Sequence, residues 1–183
     1  MNTHIALLRG INVGGHGKLP MKDLRTVLEG LGLTNVKTYL QSGNAVFQSN
    51  STDVGQLSRE IGTAITESHH FTPEVLVLSI DELRTAITAN PYPEGEDDPK
   101  TLHCSFLKSE PNNPDLEKLE SLRSPTEKFE LSGTVFYLYA PDGIGRSKLA
   151  AKVERALGVA VTGRNWRSVG AVMSLALEVE QID

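Results

Sequence analysis

Two kinds of apolar pattern alternate along this chain, and their order restricts the folds open to it. His4-Ile5-Ala6-Leu7-Leu8-Arg9 is a short apolar run ended by Gly10, which reads as a buried strand. Pro20 suits the first turn of a helix, whose stripe of Met21, Leu24, Leu28 and Leu31 stops at Gly32. Val36 to Leu40 and Ala45 to Gln48 then read as strands on either side of the turn Gln41-Ser42-Gly43-Asn44, which is a hairpin signal. Asp53 can cap a helix carrying Val54, Leu57, Ile61, Ala64 and Ile65. Val75 to Leu78 is a fourth strand, and Ile80 to Ala89 a further helix. The order βαββαβ is the split βαβ arrangement of a ferredoxin-like domain.

The remainder repeats that order. Pro91-Tyr92-Pro93-Glu94-Gly95-Glu96-Asp97-Asp98-Pro99 holds three prolines and four acids, so it is a loop or linker. Beyond it, Leu102 to Leu107, Lys128 to Leu131, Val135 to Tyr139 and Val159 to Thr162 read as strands. Pro114 to Leu122 and Ser147 to Leu157 read as helices, the second with Leu149, Val153 and Leu157 on one side. Ser168 to Leu177 is a last helix. The repeat is one of topology, with no evident residue identity between the halves. The expectation is an α+β protein of two ferredoxin-like halves, 1–95 and 96–183, the second with an additional C-terminal helix.

A chain of 183 residues can bury a substantial core, and 39% hydrophobic with 22% charged residues argues against wholesale disorder. The apolar run near the N-terminus is far too short for a signal peptide or membrane span. One cysteine, Cys104, rules out an intramolecular disulfide and a cysteine-cluster metal site. The expectation is a cytoplasmic protein with no membrane partner. Its net charge of −5 argues against a general nucleic-acid coat, yet the charge is uneven. Residues 1–48 hold five basic against two acidic residues, and 140–170 six against two, while 49–139 hold seven against sixteen. That suits a basic face for an anion on an acidic protein, although solvated helix faces would give the same counts.

Four segments are candidate sites. The strand-to-helix loop from Arg9 to Lys18 holds Gly10, Gly14, Gly15 and Gly17, which permit positive φ and close approach of a ligand to the backbone. Such a loop offers N–H groups and a helix N-terminus to a phosphate or carboxylate, with Arg9 and Lys18 adding charge and Asn12 an amide. Its spacing is neither G-x-G-x-x-G nor a P-loop, and a long irregular connection would need the same glycines. Gln41, Ser42 and Asn44 are what a tight turn demands. They gain a second reading if the first and third strands are central and antiparallel, because the end of one then adjoins the start of the other. Pro141 to Lys148 opens a helix at Ser147, a natural N-cap, with Arg146 and Lys148 opposing the helix dipole. In Arg164-Asn165-Trp166-Arg167 the arginines can clamp an anion, while Trp166 can stack on a base or pin the helix to the core.

The histidines add little. His69-His70 sits at a helix C-terminus, and His103 and Cys104 alternate on one strand. No metal or cofactor site, Gly-x-Ser-x-Gly elbow or carboxylate pair stands out, so no catalytic residue is assigned.

Leu7-Leu8-Arg9-Gly10-Ile11-Asn12-Val13-Gly14-Gly15, Leu19-Pro20-Met21, Tyr39 to Phe47 and Arg164-Asn165-Trp166 together resemble the bacterial family of domain of unknown function 1697. The resemblance implies an α+β fold with ferredoxin-like halves and transfers no activity. His16-Gly17 depart from the more polar or basic residues of that family pattern. The resulting expectation is an uncharacterised protein binding an anionic small molecule, a nucleotide or, with weaker support, a nucleic-acid segment. Its binding residues would be Arg9, Gly10, Asn12, Gly14, Gly15, Lys18, Gln41, Ser42, Asn44, Arg164, Asn165 and Trp166. The alternatives are a metal-independent enzyme, with Ser42 or Asn44 positioning a reacting group, and a protein–protein interaction module. Oligomeric state stays open.

Overall fold

The computed structural model describes residues 1–182. In chain order its elements are β1 (Asn2–Arg9), α1 (Met21–Gly30), β2 (Thr34–Tyr39), β3 (Asn44–Ser49), α2 (Val54–His69), β4 (Glu74–Ser79) and α3 (Ile80–Thr88). There follow β5 (Leu102–Leu107), α4 (Leu116–Leu122), β6 (Lys128–Ser132), β7 (Val135–Tyr139), α5 (Val153–Leu157), β8 (Val161–Asn165) and α6 (Trp166–Glu180). The strands form two four-stranded antiparallel sheets, so the molecule is α+β, with two βαββ-type halves.

The chain divides into two compact units, residues 1–85 with those from 170 onward, and residues 86–169. These limits differ from the 1–95 and 96–183 halves because the residues on either side of the acidic linker group with the second sheet, and most of α6 with the first. The reason for the latter is local to the first unit. Gln48, buried on β3, donates from Nε2 to the Val179 oxygen (3.1 Å), and Lys37 on β2 pairs with Glu178 (2.7 Å).

In the first unit the strand order is β2-β3-β1-β4. Antiparallel pairing sets Leu7 opposite Asn44, so the end of β1 lies at the start of β3. The spacing of Leu24 and Leu28 on α1, and of Leu57, Ile61 and Ile65 on α2, brings them onto Ala6, Leu8 and Phe47 of the sheet. Each fully buried Leu or Ile of this kind contributes about 1.5–3 kcal/mol. Asp53 caps α2, accepting from Gln56 N–H (2.8 Å), and His70 in a left-handed conformation ends it.

The second unit repeats the arrangement as β6-β7-β5-β8. Its core joins Leu107, Leu119, Phe136, Leu138, Leu149, Val153 and Leu157. One main-chain hydrogen bond recurs as well. Leu8 N–H donates to the Gly43 oxygen in the first unit, as Leu107 N–H does to the Thr134 oxygen in the second, both at 2.8 Å.

Several element boundaries differ from the sequence expectation, and three of them bear on the candidate segments. The helix expected over 147–157 is a 3-10 turn at Ala150–Lys152 followed by the short α5, although Ser147 Oγ still accepts from Ala150 N–H (2.9 Å). β8 begins at Val161 rather than Val159 and runs through Arg164 and Asn165, because pairing with β5 extends it. α6 starts at Trp166 rather than Ser168, since Asn165 Oδ1 accepts from Ser168 N–H (2.9 Å) and so caps two residues earlier.

Candidate functional site

The loop between β1 and α1 is built on residues with positive φ. Gly10, Asn12, Gly14, Gly15 and Gly17 have φ of 78°, 52°, 59°, 80° and 61°. Glycine is required most at Gly17, where a Cβ would collide with the Gly10 oxygen. Ile11 is buried and plugs the loop into the core, as is Leu19 at its far end. Between them Asn12 N–H donates to the Gly17 oxygen (2.9 Å) and His16 N–H to the Val13 oxygen (3.0 Å). The N–H groups of Gly14 and Gly15, at the turn between Val13 and His16, have no acceptor among the described residues.

The Asn12 amide fixes this loop to the β2–β3 turn. Its Oδ1 accepts from Leu19 N–H (2.9 Å), and its Nδ2 donates to the main-chain oxygens of Leu19 (2.8 Å) and Gln41 (2.9 Å). The turn is held in its own right. Asn44, 1% exposed, donates from Nδ2 to the Tyr39 oxygen (2.8 Å) and to Ser42 Oγ (3.0 Å). A Cβ on Gly43, at φ 79°, would stand 2.6 Å from Ile11 Cδ1 and 2.7 Å from Leu8 Cβ, so only glycine allows the turn this close to the loop. Gln41 and Ser42 are exposed at the same tip.

The structure therefore brings together Arg9, Gly10, Asn12, Gly14, Gly15, Lys18, Gln41, Ser42 and Asn44 in the first unit. Asn12 and Asn44 are occupied in holding the tip, whereas Lys18 is exposed and Arg9, exposed too, lies opposite Glu74 in the β1–β4 register. Neither segment of the tip, residues 9–22 or 37–48, contains an Asp or Glu. Leu40, which the sequence reading left within a strand, turns out to be an exposed tip residue at φ 58°. A leucine carries no signal for that conformation. The Ile11 anchor is likewise absent from the sequence expectation, since its only signal, a bulky apolar residue among glycines, is shared by the exposed Val13.

Arg164, Asn165 and Trp166 belong to the second unit. Arg164 is half-buried, its Nη1 donates to the Gly163 oxygen (2.9 Å), and burial lowers its guanidinium to about 10. Asn165 caps α6, and Trp166 is half-buried at the helix start. In the Pro141–Lys148 segment Asp142 Oδ2 accepts from Thr126 Oγ1 (2.6 Å), while Arg146 and Lys148 are exposed.

The histidines fall apart from the tip. His69 Nε2 lies 3.5 Å from Asp23 Oδ2, and burial lowers the imidazoles of His4 and His103 below the ordinary value. Among the described residues no three His, Cys, Asp or Glu side chains are arranged to hold a metal ion. No helix among them is long and apolar enough to cross a membrane.

Comparison with known proteins adds fold and family. The conserved bacterial protein SP0830 of Streptococcus pneumoniae aligns in structure over 96% of this chain and 98% of its own, with a TM-score of 0.73 and 23% identity. That likeness shows the fold alone. No curated protein matches the sequence. The model of a family described as protein of unknown function, DUF1697, matches residues 1–137, and so takes in both segments of the tip. This chain is a member of the DUF1697 family, whose function is uncharacterised.

Proposed function

We propose that the β1–α1 loop and the β2–β3 turn form one binding site for an anionic ligand, a nucleotide or an exposed nucleic-acid segment, in a cytoplasmic protein. The observation that carries this reading is a hydrogen-bonded tip that offers donors and carries no carboxylate. Two segments without a carboxylate are tied together by Asn12, and they present the Gly14 and Gly15 N–H groups together with Lys18. Backbone N–H groups already fixed in place bind an anion without the ordering cost that a loose loop would incur. In this reading Asn12 and Asn44 act by holding the tip, and Arg9, Lys18, Gln41 and Ser42 meet the ligand. Arg164 with Trp166 is a separate candidate for an anion, on the second unit.

Strand orders of β2-β3-β1-β4 and β6-β7-β5-β8 support reading the halves, 1–95 and 96–183, as ferredoxin-like units. The first half alone carries a glycine-rich loop. The equivalent stretch after β5, Lys108 to Asp115, contains no glycine and both Glu110 and Asp115. We therefore place the anion site on the first half.

Equilibrium binding to pyrophosphate, ATP, GTP and a short single-stranded oligonucleotide tests the reading. The Arg9→Ala/Lys18→Ala double variant should bind whichever of these is taken about tenfold more weakly or worse, through lost charge-assisted contacts. Unchanged affinity in that variant would overturn it.

A further inference from the structure

The cations of the first unit continue the tip along one side of α1. Lys22 and Arg25 are three positions apart on that helix and so share a face, and Lys18 precedes the helix by three residues. Arg25 Nη2 lies 3.5 Å from Thr38 Oγ1, which sets this face beside the end of β2 and the turn that follows it. Leu19, next to Lys18, meets the same turn through Asn12, whose amide donates to the Leu19 and Gln41 oxygens. Lys18, Lys22 and Arg25 are all exposed, and none pairs with a carboxylate among the described residues. The one acid within the row, Asp23, is turned to the other side of α1, with Oδ2 3.5 Å from His69 Nε2 on α2. Glu29, a turn beyond Arg25, marks the end of the row.

Two features of this row bear on the class of ligand. From Lys18 to Arg25 it is about 10 Å long by the helical rise alone, more than a single phosphate spans. Beside it the turn offers Leu40, 56% exposed, with Gln41 and Ser42, exposed too, and no charge. An aliphatic surface next to an amide suits a base, with its apolar face and polar edges, and not a further phosphate. A chain of phosphates with accessible bases meets both features, whereas a duplex keeps the base faces stacked inside.

We propose that the ligand of the tip is a single-stranded nucleic acid. Its phosphates run from the Gly14–Gly15 turn along Lys18, Lys22 and Arg25, and its bases meet Leu40 and Gln41. This rests on the anion site of the tip and narrows its ligand to one class, adding Lys22, Arg25 and Leu40 to the contacts. DNA and RNA share the phosphate and base chemistry involved, and no group here is assigned to the 2′-hydroxyl.

Fluorescence anisotropy with labelled oligothymidylates, from a dinucleotide to a dodecamer, tests the track. Oligouridylate, a duplex of the same length, inorganic polyphosphate and pyrophosphate serve as competitors. Affinity should rise with length over the shortest probes and then level off, alike for DNA and RNA. With the three cations engaged, log K should fall with log salt at a slope of about −2, from about −0.7 per phosphate on a single strand. Lys22→Gln/Arg25→Gln, at exposed positions of α1 outside the core, should bring that slope to about −0.7 and remove the gain with length. Leu40→Asn, which suits the left-handed backbone, should weaken oligonucleotides relative to polyphosphate. A dinucleotide held as tightly as the dodecamer, a slope that survives the double substitution, or a duplex or polyphosphate held as tightly as the single strand would each overturn the proposal. If such a result came with pyrophosphate binding that Arg9→Ala/Lys18→Ala abolishes, the tip would remain an anion site and only the strand would be excluded. If pyrophosphate and every oligonucleotide failed to bind, both readings would fall together.

Discussion

Asn12 Nδ2 donates to the Gln41 main-chain oxygen at 2.9 Å, across 29 positions of sequence. With its two bonds to Leu19, this one side chain converts a glycine-rich loop and a hairpin turn into a single rigid tip. Its left-handed backbone, which Asn tolerates better than other side chains do, aims the amide at both partners.

Replacing Asn12 should therefore cost more than its exposure suggests. Asn12→Ala loses the hydrogen bonds and strains the backbone, and should destabilise the chain by about 2 kcal/mol or more. Asn12→Gly loses the bonds alone and should fall about 1 kcal/mol short of that. Denaturant midpoints of the two variants read the difference directly. Equal midpoints would show that φ at this position carries no strain.

The glycines of the tip should differ among themselves. At Gly43 an added Cβ meets Ile11 and Leu8 within 2.7 Å, whereas at Gly14 it meets nothing within 4 Å. Gly43→Ala should cost about 2–4 kcal/mol through overpacking and strain together, and Gly14→Ala only about 1 kcal/mol through its positive φ. Thermal unfolding of the pair separates packing from backbone conformation.

Stability should also depend on pH through His4. Its Nε2 meets the Ser51 oxygen at 3.0 Å, its Nδ1 is buried without a partner, and burial holds its imidazole below the ordinary 6.5. Burial does the same for His103. The unfolded chain takes up these protons first as pH falls. Stability is therefore complete above pH 6.5 and declines below it, until the folded imidazoles protonate in turn. Denaturation of wild type and His4→Leu between about pH 8 and 5 should show a shallower decline in the variant.

Cys104 is fully buried, and burial pushes its thiol up to about 12. The native protein should react with a thiol reagent at neutral pH only as fast as it opens, and stoichiometrically once unfolded. Rapid labelling of the native state would mean that β5 is not buried as described.

The sequence made some of this plain and hid the rest, for physical reasons. β5 was legible residue for residue because Leu102, Cys104 and Phe106 alternate with polar residues, β7 because an apolar run follows the turn Ser132-Gly133-Thr134, and α2 because Asp53 precedes an apolar stripe. The nearness of loop and turn followed from antiparallel strand order. The Asn12 bond to Gln41 did not, because no local pattern encodes a partner 29 positions away. Nor did the grouping of the end of α6 with the first unit, which depends on Gln48 reaching Val179. Leu40 reads as the last strand residue since leucine rarely takes a positive φ, so nothing in the sequence signals its exposure and left-handed backbone.

The central claim is that a tip locked by Asn12 presents donors to an anion, and amide chemical shifts test it most directly. A nitrogen-15-labelled chain titrated with pyrophosphate should show saturable shifts at Gly14, Gly15 and Ser42, with the same residues unmoved in Lys18→Glu. Shifts confined to other parts of the chain, or none at all, would contradict it.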